Sequence, residues 1–133
     1  MRQTAALPYR LSDGANGALE ILLVTTGTGR WIIPKGDVDR GMAPHLAAEN
    51  EAFEEGGVKG RIADRPIGSF STRKNLVGLS IPAKVDVYPL EVSEELEHWP
   101  EDDRRVRRWL SLQDAAAMVD EPELRSIIRS FRP

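Results

Sequence analysis

The chain of 133 residues contains no cysteine. A disulfide framework and a thiolate metal centre are therefore both excluded, which fits a reducing compartment. Aromatic residues are scarce, at 6%, so a ligand held by ring stacking would have little beyond Trp31, Phe70, Tyr88 and Trp99 to rest on. Positive charge is not in surplus: 18 Lys and Arg against 21 Asp and Glu give a net charge of −3. That balance, with an isoelectric point near 5.4, argues against a nucleic-acid partner, whose usual binder is strongly basic. No apolar run approaches the roughly 20 residues that cross a bilayer, and no signal-peptide pattern opens the chain. The expectation is a soluble cytoplasmic protein with neither a membrane nor a nucleic-acid partner. No repeat, linker or low-complexity segment divides the chain, so a single domain over 1–133 is expected, with enough length for a proper core.

Hydrophobic patterning supplies the elements. Gln3 to Leu11 reads as a strand, and Pro8 within it predicts an edge or a bulge. Ser12 to Gly17 is a cluster of turn formers. The nearly continuous apolar run Ala18 to Thr26 predicts a strand buried on both faces and a hairpin with the first. Trp31-Ile32-Ile33 is a short strand leading into Pro34-Lys35-Gly36. Past a central helix, Lys59 to Phe70 is predicted extended, Ser71 to Asn75 a polar basic turn, and Leu76 to Val92 a long strand weakened by Pro82 and Pro89. Ser93 to Asp103 is an acidic loop or helix, and Arg104 to Ser111 a short strand. Ser111 with Asp114, and Asp120 with Glu123, approximate capping boxes. Leu124, Ile127, Ile128 and Phe131 form a helical core stripe. The pattern predicts an α+β fold with a mixed sheet.

The chemistry concentrates between Gly36 and Val58. Pro44 suits the first turn of a helix and Gly56-Gly57 its end. At 3.6 residues per turn, Glu51, Glu54 and Glu55 fall within an arc of roughly 100°. Leu46 and Phe53, seven apart, mark a different face suited to a core. Like charges at these spacings repel, and three glutamates alone are commonly a solvated face. A divalent cation would reverse the sign of that repulsion, because Mg²⁺ favours oxygen ligands and shares them with substrate phosphates.

The spacing of this stretch resembles the Nudix box. Gly36, Glu51, Glu54, Glu55, Gly57 and Val58 sit on its pattern, and Ala52 is a small version of its aliphatic position. Met42 stands where the box has a glutamate, and Asn50 where it has an arginine. Losing that acid and base together leaves neither charge unpaired. Trp31 to Gly36 before the box, Gly57 to Gly60 after it, Leu96 to Trp99, and Arg107 to Trp109 are similar to the diphosphoinositol polyphosphate phosphohydrolase branch.

The resemblance implies an α/β/α sandwich, a box over 36–58, and hydrolysis of a phosphoanhydride in a phosphorylated small molecule. Diphosphoinositol or diadenosine polyphosphates are the leading substrates, with a nucleotide-sanitising pyrophosphatase or a non-catalytic ligand sensor as alternatives. It implies Mg²⁺ or Mn²⁺ at Glu51, Glu54 and Glu55 with the Gly36 carbonyl, the same glutamates being catalytic, and, in many members, a homodimer. A later-loop glutamate serves some members as base, for which Glu94 and Glu95 are available. Phosphate would need cations, and the candidates are Lys35, Arg2, Arg10, Arg30, Arg73 and Lys74. His45 and His98 form no recognisable metal pair.

Overall fold

A computed structural model describes residues 2–12 and 17–133. The first strand, β1 (Arg2–Leu11), lies in the middle of the sheet. It runs antiparallel to β2 (Leu19–Thr25) and to β4 (Lys35–Asp37), and parallel to β7 (Leu79–Glu95). Outward from these lie β3 (Trp31–Ile32) and β8 (Arg107–Ser111) on β2, and β5 (Val58–Ile62) and β6 (Gly68–Leu76) on β7. Helix α1 (Pro44–Gly56) covers one face, and α2 (Leu112–Met118) and α3 (Pro122–Ser130) cover the other. This is the expected mixed-sheet α+β sandwich.

Alternation along the strands builds the two layers. Ala5, Leu7, Ile21, Leu23, Val85 and Val87 join Leu124, Ile128 and Phe131 under α2 and α3. Ala6, Leu22, Tyr88 and Leu90 meet Ala48 and Ala52 of α1. β2 is accordingly buried on both faces, as its apolar run predicted.

Pro8 does not mark an edge; β1 is central. The Ala6 N–H donates to the Pro34 carbonyl at 3.0 Å, and Pro8, two residues on, faces the same side. There β4 has ended at Ala5 and β2 pairs only from Tyr9, so the absent N–H falls in a gap between neighbours. Pro89 uses a similar gap between β6, which ends opposite Val87, and β5, which starts opposite Leu90. Pro82 lies beyond the reach of β1, which begins opposite Lys84.

Three other expectations are corrected. Ser71 to Asn75 is not a turn but the middle of β6, paired with β7 from Ser80 to Lys84. Its polarity reflects an exposed hairpin ribbon, which turns at Val77-Gly78. Ser93 to Glu95 extends β7 instead of joining the acidic loop. The cap of α3 is Glu121, whose side chain makes no capping bond, in place of Asp120. Ser111 does cap α2, accepting from the Asp114 N–H at 3.0 Å. The turn formers at 13–16 lie outside the described residues, although Ser12 and Ala18 close the hairpin on either side of them.

Candidate active site

Helix α1 delivers the acids. Pro44 stands in its first turn, and Gly57 ends it with φ 66°, its N–H returning to the Phe53 carbonyl at 3.0 Å. Glycine is the residue that adopts this left-handed conformation without strain. It also admits the Trp99 ring and the Arg107 guanidinium, either of which a β-carbon would strike within 2.8 Å. Trp99 donates its indole N–H to the Glu55 carbonyl, Arg107 donates to that of Gly56, and the guanidinium stacks 3.9 Å above the ring. These donors satisfy carbonyls that every helix C-terminus leaves free.

The buried face of α1 is built from Ala47, Ala48, Ala52, Glu55 and Gly56. Leu46 and Phe53 do not point into the core as expected: Leu46 is 45% exposed, and both line an outer groove with Met42, Asn50 and Val58. Small residues inside let the helix approach the sheet closely, and the larger ones are left outside. Met42 and Asn50, the two departures from the box, thus face the same groove, away from the buried carboxylate of Glu55.

Glu51 and Glu55 meet the loop that carries β4. The carboxylate of Glu51 lies against Gly36 so closely that a β-carbon there would fall within 2.9 Å of both its oxygens. Burial, with the charges of Glu55, Glu54, Glu101 and Asp39 adding, pushes the Glu51 carboxyl up to about 8. Glu55 is buried, one oxygen accepting from the Lys35 backbone N–H at 3.1 Å and the other from Arg105 at 3.0 Å. Burial raises it to about 7 despite the opposing Arg105 charge and Lys35 bond. Glu54 is half-buried on the same helix, and its carbonyl accepts from the Glu101 N–H.

Two contributors escaped the sequence. Arg105 bridges Glu55, Glu101 and the Thr25 carbonyl, and the Glu101 charge acts on both Glu51 and Glu55. The only sequence signal was their i, i+4 spacing, acid before base, within a crowd of acids and arginines. Glu95 is spent elsewhere, on Arg10, Arg107 and the Trp109 indole. Glu94 stands opposite Lys59 at an exposed ladder end. Neither meets Glu51 or Glu55.

Among the described residues, no three acidic or histidine side chains converge as a ready-made ligand set. The donor set still suits a hard divalent ion. Glu51 and Glu55 are two desolvated carboxylates whose raised affinity for protons records a cost that a cation would relieve. Mg²⁺ commonly takes one or two carboxylates and completes its shell with water and phosphate oxygens.

The candidate cations are mostly engaged. Lys35 bonds Gln3 at 3.0 Å, and burial lowers its pKa against the pull of Glu55, Glu121 and Asp37. Arg2 pairs with Asp86, and Lys74 with Asp37. Arg30 pairs with Asp120 at 3.0 Å, and Arg73 is clipped to the Ser80 hydroxyl and carbonyl. Arg30 and Arg73 share one pocket. Arg10 lies at the other end of β1, paired with Glu20 and stacked on Trp109, and is not brought to this group.

A loop–helix–loop thus seats two desolvated carboxylates beside the Lys35 backbone and Arg105. The chain belongs to the Nudix hydrolase family, the NUDIX domain model matching residues 1–131. It is 35% identical over 143 residues to Nudix hydrolase 12, mitochondrial, of Arabidopsis thaliana, covering 96% of this chain and 70% of that one. Diphosphoinositol polyphosphate phosphohydrolase 3-beta of Bos taurus is 36% identical over 104 residues, 75% of this chain and 60% of that one. Of some curated relatives the chain thus spans less than two thirds. A solved binary complex of the C. elegans Ap4A hydrolase has the same fold, with a TM-score of 0.68 at 23% identity, covering 96% of this chain and 92% of that one. Divalent metal ions are general in this family.

Proposed function

We propose that the protein hydrolyses a phosphoanhydride in a small molecule that joins phosphates to an organic group, with Mg²⁺ or Mn²⁺ held by Glu51 and Glu55. Glu54 and the Gly36 carbonyl complete the proposed ligand set. The observation that carries this reading is the pair of desolvated carboxylates, Glu51 against Gly36 and Glu55 on the Lys35 N–H, each with its proton affinity raised into the neutral range. Bound there, the ion would neutralise phosphate charge and make a water molecule more acidic. The chain's own groups do the positioning. The Lys35 N–H and Arg105 fix both oxygens of Glu55, while Glu101 fixes Arg105. Glu101, whose charge also acts on both helix carboxylates, serves here as a positioning group through Arg105.

Between the two leading substrates, charge supports the less highly charged one. Phosphoryl chemistry needs positioning and neutralisation more than covalent help. Five of the six candidate cations already serve carboxylates or backbone and hydroxyl oxygens, and the sixth, Lys35, bonds Gln3. A diadenosine polyphosphate asks for less new positive charge than a diphosphoinositol polyphosphate. The test is product release from a panel of both classes, nucleoside triphosphates, ADP-ribose and NADH, with and without Mg²⁺ or Mn²⁺. Expected is metal-dependent turnover of one class, reduced roughly a hundredfold or more by Glu55→Gln. Absence of turnover across the panel with the fold intact would refute the enzymatic reading and leave a ligand sensor.

A further inference from the structure

Glu121 is the least satisfied charged group among the described residues. It sits at the start of α3 and is 7% exposed. One carboxylate oxygen is buried with no hydrogen-bond partner among the described residues. The other has two long contacts, 3.4 Å to the Thr72 hydroxyl and 3.5 Å to the Arg30 guanidinium. A carboxylate can accept about four hydrogen bonds, and charge-assisted ones close to roughly 2.7–2.9 Å. Buried polar groups in native proteins are paired as a rule, and leaving one unpaired is costly. Helix capping does not explain it, because the side chain makes no capping bond.

Glu121 lines a pocket of about 370 Å³ with Arg30, Thr72, Arg73, Asn75 and Ser80. Arg30 is shared between Asp120 and Glu121, and Arg73 is committed to Ser80. The pocket therefore presents hydroxyl, amide and carboxylate groups beside Arg30, whose charge two carboxylates share, and Arg73, whose partners are neutral. It lies beside the candidate active site: Lys74, between Arg73 and Asn75 of the pocket, pairs with Asp37, the residue after Gly36.

We infer that Glu121 is a specificity-determining residue for the part of the substrate remote from the reacting phosphates. Its carboxylate accepts a hydrogen bond from an N–H or O–H donor of that part, and its charge opposes additional phosphate groups there. The inference rests on the phosphoanhydride reading of Glu51 and Glu55 for its role in turnover, but the charge filter can be measured without turnover. A compact, donor-bearing group such as a nucleobase or a sugar fits this pocket; a ring carrying a phosphate at most positions does not.

The experiment pairs wild type with Glu121→Gln, which keeps the shape and removes the charge. Without metal, in EDTA, calorimetry with inositol hexakisphosphate reads the filter directly. With Mg²⁺, the ratio of kcat/KM for diadenosine tetraphosphate to that for a diphosphoinositol polyphosphate reads it in catalysis. Removing one partly screened charge within a few ångströms is expected to tighten inositol hexakisphosphate about tenfold and to lower that ratio about tenfold. A folded Glu121→Gln protein that changes neither quantity by more than about twofold overturns the inference. Arg30→Gln leaves Glu121 less neutralised, and should move both quantities in the opposite direction; movement in the same direction as Glu121→Gln would also overturn it. Should the wild type turn over nothing, the phosphoanhydride reading falls while the calorimetry still decides the charge filter.

Discussion

The two faces of the sheet are built for different ends. Beneath α2 and α3, Phe70, Leu124, Ile128 and Phe131 fill a continuous apolar layer with Leu7, Ile21, Ile33 and Val85. Beneath α1 the layer is thinner, with Ala48 and Ala52 against Ala6, Leu22, Tyr88 and Leu90, and at its end the Glu55 carboxylate is buried and that of Glu51 half-buried in place of apolar side chains. Large apolar groups stabilise by the area they remove from water. Buried acids cost stability unless something compensates their charge. One face therefore contributes stability, and the other gives some of it up to hold the carboxylates of the proposed metal site. Function-bearing sites commonly carry such local conflicts.

The sharpest way to break that comparison is a paired substitution. Leu124→Ala removes a fully buried side chain from the thick layer and should destabilise by about 2–5 kcal/mol, with kcat per folded molecule almost unchanged. Glu55→Gln should do the reverse, removing turnover while leaving the protein folded and, in the absence of metal, no less stable. Chemical denaturation beside active-site kinetics separates the two. If Leu124→Ala abolished kcat in the folded protein, or Glu55→Gln unfolded it, the division of labour between the faces would be wrong.

Gly36→Ala is the next largest. A β-carbon at 36 must displace the Glu51 carboxylate, and displacements of about 1 Å can cost as much as a hundredfold in rate. The expected result is a loss of turnover between about tenfold and a hundredfold with an unfolding midpoint near that of wild type. Retention of full activity would show that Glu51 need not lie where the structure has it.

A smaller effect appears in the pH dependence of stability. Glu51 and Glu55 bind protons more tightly in the folded protein, about 8 and about 7 against an ordinary 4.5. The unfolded chain then carries fewer protons on these groups between pH 4.5 and 8, and their contribution falls as pH rises through that window. It is fully present below 4.5 and lost above about 8. Thermal melts across this range should lose stability more steeply in wild type than in Glu51→Gln. Mg²⁺ should raise the melting temperature more at pH 8 than at pH 5.5, because it binds the folded, deprotonated pair. An identical Mg²⁺ response at both values would argue against these carboxylates as ligands.

Legibility in the sequence followed the same division. The bounds of α1 were readable because Pro44 and Gly57 act locally through backbone geometry. So was the α3 stripe, because a thick layer demands large side chains at helical spacing. The inner face of α1 was not, since alanine carries no pattern against which Leu46 and Phe53 look peripheral. Pro8 misled because a missing donor matters only where a neighbour would receive it, and that depends on where β4 stops and β2 starts. Arg105 and Glu101 were hidden for a further reason. Nothing local distinguishes Arg105 from Arg104, and its meeting with Glu55 is a contact fifty residues long in sequence.

The smallest effect concerns the two positions where the box departs from pattern. Met42 and Asn50 share the outer groove of α1, Met42 being 38% exposed. Restoring the pair with Met42→Glu and Asn50→Arg places an acid and a base together at a solvent-accessible site. Such pairs couple by only about 0.2–1 kcal/mol, so a double-mutant cycle in stability should return a value in that range. Turnover tests something different. Glu51 lies one residue beyond Asn50, and its carboxylate lies against Gly36. If that contact suffices, the restored pair changes kcat by less than about threefold, equivalent to roughly 0.7 kcal/mol. A gain of tenfold or more would mean that the exchange of an acid and a base for Met42 and Asn50 had loosened Glu51, and that the groove side of α1 is coupled to the chemistry on its buried side.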